Sequence, residues 1–182
     1  MKNCFLLVAF CLSFFTIQAQ ENESETSVGQ HELKLNALYM VAGSFEVTYE
    51  YLLNEESGVG VTVFLPYDED IKEDINYFIS PYYRFYFGNK YASGFFLEGF
   101  GMLNSTNWYY SEWIGDVDPI LVKREETLTD FALGIGLGGK WVTKRGLLGE
   151  LNLGFGRNLF NSNEFEDNDF VGKVGITVGY RF

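Results

Sequence analysis

The sequence predicts an all-β fold, an eight-stranded antiparallel transmembrane β-barrel, and three observations predict it. Side chains alternate between apolar and polar at period two after Glu32, the pattern of strands with two unlike faces. Aromatic residues make up 18% of the 182 residues and there are 20 glycines against 3 prolines, which excludes disorder, coiled coils and ordinary helical bundles. The large apolar groups collect on one face of nearly every strand, opposite a face of charges and glycines, and no 3.6-residue repeat is sustained.

The N-terminus has the form of a cleaved secretory signal over residues 1–19. Lys2 supplies the positive end, Phe5 to Phe15 is almost unbroken apolar chain, and Ile17-Gln18-Ala19 offers a small residue for cleavage. The run is shorter than the ~20 residues a spanning helix needs. Cys4 and Cys11 both lie within it, so the mature chain has no thiol for a disulfide or a metal site. Cys11 follows Phe10 rather than a small residue, which argues against a lipid anchor. Residues 20–32 then form a polar periplasmic tail, and residues 33–182 the barrel.

Runs and punctuators place strands near 33–42, 44–53, 58–67, 76–88, 94–107, 127–142, 147–159 and 171–182. In the second, Phe45, Val47, Tyr49, Tyr51 and Leu53 oppose Glu46, Thr48 and Glu50. In the fourth, Tyr77, Ile79, Tyr83, Phe85 and Phe87 oppose Ser80, Arg84 and Tyr86. In the sixth, Phe131, Leu133, Ile135, Leu137 and Trp141 oppose Asp130, Gly134, Gly136, Gly138 and Lys140. Leu151, Leu153 and Phe155 oppose Glu150, Asn152 and Gly154 in the seventh. The last strand is the clearest, with Val174, Ile176, Val178, Tyr180 and Phe182 opposite Lys173, Gly175, Thr177, Gly179 and Arg181.

The connections alternate in character. Residues 54–57, 88–93 and 143–146 are short turns, whereas the acidic 68–75, the long 108–126 and 161–169 form the other set, in which only Ala42-Gly43 is tight. Even strand number, short turns on one side and long loops on the other match a membrane barrel. Closure satisfies every backbone donor and acceptor, which lipid demands.

A soluble barrel puts charges outside; here the aromatic face is the one suited to lipid, and the charged face to a narrow polar lumen. Glu46, Glu50, Arg84, Glu98, Asp130, Lys140, Glu150, Lys173 and Arg181 are the expected lumen network, with glycines leaving room for them. A barrel of this size is filled by its own side chains, which disfavours an open porin-like pore. The net charge of -12 disfavours a nucleic-acid partner.

Gly175-Ile176-Thr177-Val178-Gly179-Tyr180-Arg181-Phe182 resembles the terminal strand of bacterial outer-membrane barrels. The resemblance implies an assembly signal at Val178, Tyr180 and Phe182, read by the barrel-assembly machinery. Residues 33–182 resemble small OmpA/OmpX-like barrels, and in particular an uncharacterised family of short outer-membrane proteins with a similar first hairpin, here Leu38-Tyr39 to Glu50. That likeness implies a bacterial outer-membrane location, outer-membrane lipid and lipopolysaccharide as surroundings, and no catalytic residues to transfer. It goes with a monomer that carries no cofactor.

Other motifs carry less. Gly134-Ile135-Gly136-Leu137-Gly138-Gly139 matches a dinucleotide loop, but the glycines lie at period two within a strand with no helix following. Inward glycines that admit bulky neighbours account for it better. Asp68, Asp70 and Asp74 belong to an acidic loop without the glycine of an EF-hand, so they read as a solvated loop or as weak divalent bridges to lipopolysaccharide phosphates. Trp108, Tyr110 and Trp113 fit an interfacial girdle, a strand pair projecting beyond the membrane, or a loop contact with a partner. His31, the single histidine, falls in the tail, which speaks against the histidine-dependent lipid enzymes of this membrane. The sequence therefore supports a non-enzymatic barrel with acidic extracellular loops and a structural or surface-interaction role. A lipid-modifying enzyme and a soluble lipocalin-like carrier of a hydrophobic ligand are the alternatives.

Overall fold

The computed structural model describes residues 29–114, 120–160 and 169–182. The signal segment of residues 1–19 lies outside the described residues, as does most of the 161–169 connection. Eight strands close into a barrel: β1 (His31–Asn36), β2 (Ser44–Leu52), β3 (Ser57–Pro66), β4 (Ile75–Tyr86), β5 (Gly94–Ile114), β6 (Ile120–Val142), β7 (Leu147–Asn158) and β8 (Phe170–Arg181). Every neighbouring pair is antiparallel, and β1 closes on β8 from Glu32↔Arg181 to Asn36↔Thr177. Among the described residues no helix is long and apolar enough to cross a membrane.

The wall sorts side chains by alternation. Leu133, Ile135, Leu137, Val174, Ile176 and Val178 point outward and are exposed, Ile135 at 76%. The charged partners on the opposite face are buried in the lumen. In water such an exterior would be an aggregation liability far larger than the patches a soluble monomer exposes; against hydrocarbon it is the favourable arrangement.

The first strand departs from the predicted 33–42. It starts earlier, so His31 and Glu32 belong to the ladder rather than to a tail, and it ends at Asn36. There the chain enters a short helix, α1 (Ala37–Ala42). The Asn36 side chain accepts from Leu38 N (3.1 Å) and Tyr39 N (3.5 Å), while Gly43 at φ +102° ends the helix and donates to Tyr39 O. An Asn N-cap and a left-handed glycine bracket the helix in the usual way. A further short turn of helix, α2 (Glu69–Lys72), occupies the acidic connection, capped by Asp68, whose carboxylate accepts from Asp70 N at 3.0 Å.

The predicted 108–126 connection is the second departure. β5 and β6 continue past their neighbours as a two-stranded ribbon, paired from Asn107↔Thr127 to Ile114↔Ile120. Trp108, Tyr110 and Trp113 therefore occupy strand positions, opposite Glu126, Arg124 and Leu121 in the ladder.

Glycine pairing explains how the lumen holds large rings. Inward Tyr82, Phe100 and Phe96 sit directly across from Gly60, Gly134 and Gly138. A Cβ on Gly134 would come 2.3 Å from the Phe100 ring, and one on Gly138 2.4 Å from Phe96. The G-x-G-x-x-G stretch is thus a set of strand glycines, three of which line the inside of β6.

Candidate functional site

The lumen concentrates the ionisable side chains. Glu50, fully buried on β2, is its hub. It accepts from Lys34 Nζ and Tyr86 Oη, from Tyr82 Oη at 2.9 Å, and from Arg84 Nη1 and Lys140 Nζ at 3.3 Å each. These donors come from β1, β4 and β6, so one carboxylate ties three regions of the wall together.

Glu150 on β7 forms the second node, accepting from Arg84 Nη1 at 2.8 Å and Lys34 Nζ at 3.1 Å. Glu98 on β5 takes Arg84 Nη2 at 2.6 Å and Lys173 Nζ at 2.8 Å. Glu32 takes Lys140 Nζ at 2.7 Å and both Nε and Nη2 of Arg181, at 2.8 and 2.6 Å. Rings complete the cations' surroundings: the Arg84 guanidinium lies 3.8 Å from the Phe96 centroid, and Lys140 Nζ lies 4.3 Å from that of Tyr86. Desolvation makes burial of these charges expensive, and only mutual pairing with further hydrogen bonds offsets it.

Of the nine lumen residues named from the sequence, the structure brings Glu50, Arg84, Glu98, Lys140, Glu150, Lys173 and Arg181 into this network. Glu46 is buried nearby with its Oε1 accepting from Asn36 Nδ2 at 2.9 Å. Asp130 is buried towards the loop end and accepts from the backbone N–H groups of Phe131 and Phe160 at 2.6 and 3.1 Å. Sequence reasoning missed Glu32, Lys34 and Asn36, all buried on β1. The signal was there in Glu32-Leu33-Lys34-Leu35, an alternating run that was cut by ending the tail at residue 32.

Both ends of the lumen are stoppered. Towards the loops, Phe64, Phe78, Tyr82, Phe100, Met102 and Ala132 form an apolar layer, with Phe64 stacked on Phe78 at 4.8 Å. Tyr39 of α1 packs on it from above, its ring edge-on to Phe64 at 5.3 Å. Towards the turns, Leu52, Tyr86, Ala92 and Phe96 form a second layer. Arg181 reaches across to Tyr91 O (3.0 Å) and Ala92 O (2.8 Å), holding the β4–β5 turn over the opening.

The remaining named residues lie outside the lumen. Val178 and Tyr180 face outward on β8, Phe182 just beyond it is exposed as well, and the Phe182 ring stacks on His31 at 5.8 Å. His31 Nδ1 is hydrogen-bonded to the Tyr49 hydroxyl at 2.7 Å, so the histidine sits at the β1–β8 seam at the turn end. Asp74 gives its carbonyl to Asn107 N at 2.9 Å, and Asp68, Asp70 and Asp74 all lie on the β3–β4 connection. Among the described residues no group of three His, Cys, Asp or Glu is placed to hold a metal ion.

An apolar exterior, a charge-paired lumen and eight antiparallel strands define a β-barrel of the outer-membrane type. The chain belongs to the family described as "Protein of unknown function (DUF3575)", whose model matches residues 5–176. Among solved structures it is similar to the N-terminal β-barrel domain of Pseudomonas aeruginosa OprF, with a TM-score of 0.51 and 14% identity, over 85% of this chain and 99% of that one. At that identity the likeness is one of fold. No curated protein matches the chain.

Proposed function

We propose that the protein is a non-enzymatic barrel of the bacterial outer membrane with a structural or surface-interaction role. Its acidic loop end and the β5–β6 ribbon face outward, and its turns and both termini of the barrel lie in the periplasm. The observation that carries this reading is the inversion of faces, with exposed Ile135 and Val178 outside and Glu50, Arg84 and Lys140 buried within. A soluble carrier needs the opposite phase, with its apolar face lining a ligand cavity. A diffusion pore needs an open lumen, and here apolar layers stopper both ends of the ionic network. The surroundings that follow are outer-membrane lipid and lipopolysaccharide, with the barrel-assembly machinery as a transient partner reading Val178, Tyr180 and Phe182. The barrel then acts as a monomer without a nucleic-acid partner.

Expression of the full-length chain in a Gram-negative host, followed by fractionation, tests the proposal. The expected outcome is an outer-membrane band whose gel mobility shifts on boiling. A soluble periplasmic protein with no such shift would overturn it.

A further inference from the structure

The outer wall is uneven. Across β5, β6 and β7, near the turn end, a shallow groove of about 500 Å³ runs between Phe95, Leu137, Gly139, Trp141, Leu151 and Leu153. Outward glycines open it. Gly139 stands in the ladder between Phe95 and Leu151, and Gly149 stands opposite Trp141. The Trp141 ring leans over the missing side chain, so that a Cβ on Gly139 would lie 3.1 Å from it.

Three residues beyond Trp141, the β6–β7 turn presents Lys144 and Arg145, both exposed. β6 ends at Val142, so the two cations stand on the turn just beyond the wall, Lys144 within at most about 10 Å of chain from Trp141, where a headgroup lies above an acyl chain at the edge of the hydrocarbon. These cations are unusual here. Among the described side chains outside the lumen, Lys72 and Arg157 are paired with Glu69 and Asp169, whereas Lys90, Lys144 and Arg145 have no carboxylate within ion-pair distance. All three lie at the turn end of a chain whose net charge is -12.

The geometry points to a binding site for an anionic phospholipid of the periplasmic leaflet, one acyl chain lying in the groove beside Trp141 and the phosphate held by Lys144 and Arg145. Aromatic rings at the interface and basic side chains at an anionic surface are the recognition chemistry such a lipid offers. The inference rests on the membrane orientation proposed above, which puts the short turns in the periplasm. The zwitterionic headgroup lacks the net charge to engage two unpaired cations, so headgroup charge is the discriminating variable.

Trp141 is its own reporter. In the variant Trp108→Phe/Trp113→Phe it is the one remaining tryptophan. The purified variant is refolded into phosphatidylcholine vesicles containing either brominated phosphatidylglycerol or brominated phosphatidylcholine, and quenching is read as a relative association constant. The expected preference for the anionic lipid is at least about fivefold, the factor one cation near an anionic surface supplies. Lys144→Gln/Arg145→Gln, exposed turn changes that leave the wall intact, is expected to bring it to about unity. Equal quenching by both lipids would overturn the proposal, as would a preference that survives the double substitution. Weak quenching by both, the sign of a second copy covering the groove, would overturn it too. The boiling shift is recorded on the same samples: its absence would refute the membrane-barrel reading itself, whereas its presence without lipid preference would refute only this site.

Discussion

The ionic layer of the lumen and the apolar layer towards the loops fill the same barrel with opposite materials. Around Glu50, cations from β1, β4 and β6 converge on one carboxylate, each group depending on its partners for compensation. Around Phe64, Phe78, Phe100 and Met102, the contacts are non-directional and no single atom is indispensable. The difference teaches where specificity resides. Apolar packing closes the mouth with whatever fills the volume, whereas each charge of the ionic layer is compensated only by particular partners on other strands.

Conservative substitutions in the two layers sharpen that contrast. Glu50→Gln keeps the shape but removes the charge on which Lys34, Arg84 and Lys140 converge. The expected loss is ~3–5 kcal/mol, the cost of stranding buried partner charges, measured by urea unfolding of the folded protein in vesicles. An unchanged midpoint would show that the network is dispensable. In the apolar layer, Met102→Leu changes shape without changing chemistry, and the same measurement is expected to show less than ~1.5 kcal/mol. A loss as large as that of Glu50→Gln would mean that the cap, too, depends on one geometry.

What was legible in the sequence follows the same division. The outward faces of β6 and β8 could be read directly, because their opposite faces are glycine and charge and the alternation is clean. On β4 and β5 both faces are apolar: Tyr83 and Phe85 look out while Phe78, Tyr82 and Tyr86 look in. On β4 the alternation with Ser80 and Arg84 already placed Tyr83 and Phe85 outward and Tyr86 inward, and the inward rings of Tyr82 and Phe100 are marked further by a glycine directly across the ladder, Gly60 and Gly134. The helix α1 was hidden because Ala37, Tyr39 and Val41 continue the apolar phase of Leu33 and Leu35, while its bracket of Asn36 and Gly43 is a capping signal that period two does not contain. The ribbon of β5 and β6 was one of three readings open for Trp108, Tyr110 and Trp113, and the rest of the segment did not single it out. Beyond the lipid boundary no face must be apolar, so Lys123, Arg124, Glu125 and Glu126 run together without alternation although they pair as strands.

For the lumen charges, types and faces were readable, but the partners were not. Glu50 meets Lys140, 90 residues away, only because the barrel closes, and Glu32 meets Arg181 only across the final seam.

The phase of the alternation decides which face of the wall meets lipid. Since both cysteines lie in the first 19 residues, a single cysteine placed at Ile135, Ile176 or Val178 of a chain expressed from Gln20 gives a unique labelling position. Each is labelled with an environment-sensitive fluorophore after refolding into vesicles, then challenged with a lipid-borne quencher and with aqueous iodide. All three positions are expected to be quenched from the lipid and shielded from iodide. Strong iodide quenching with no effect of the lipid quencher would contradict the account, because these side chains would then face water.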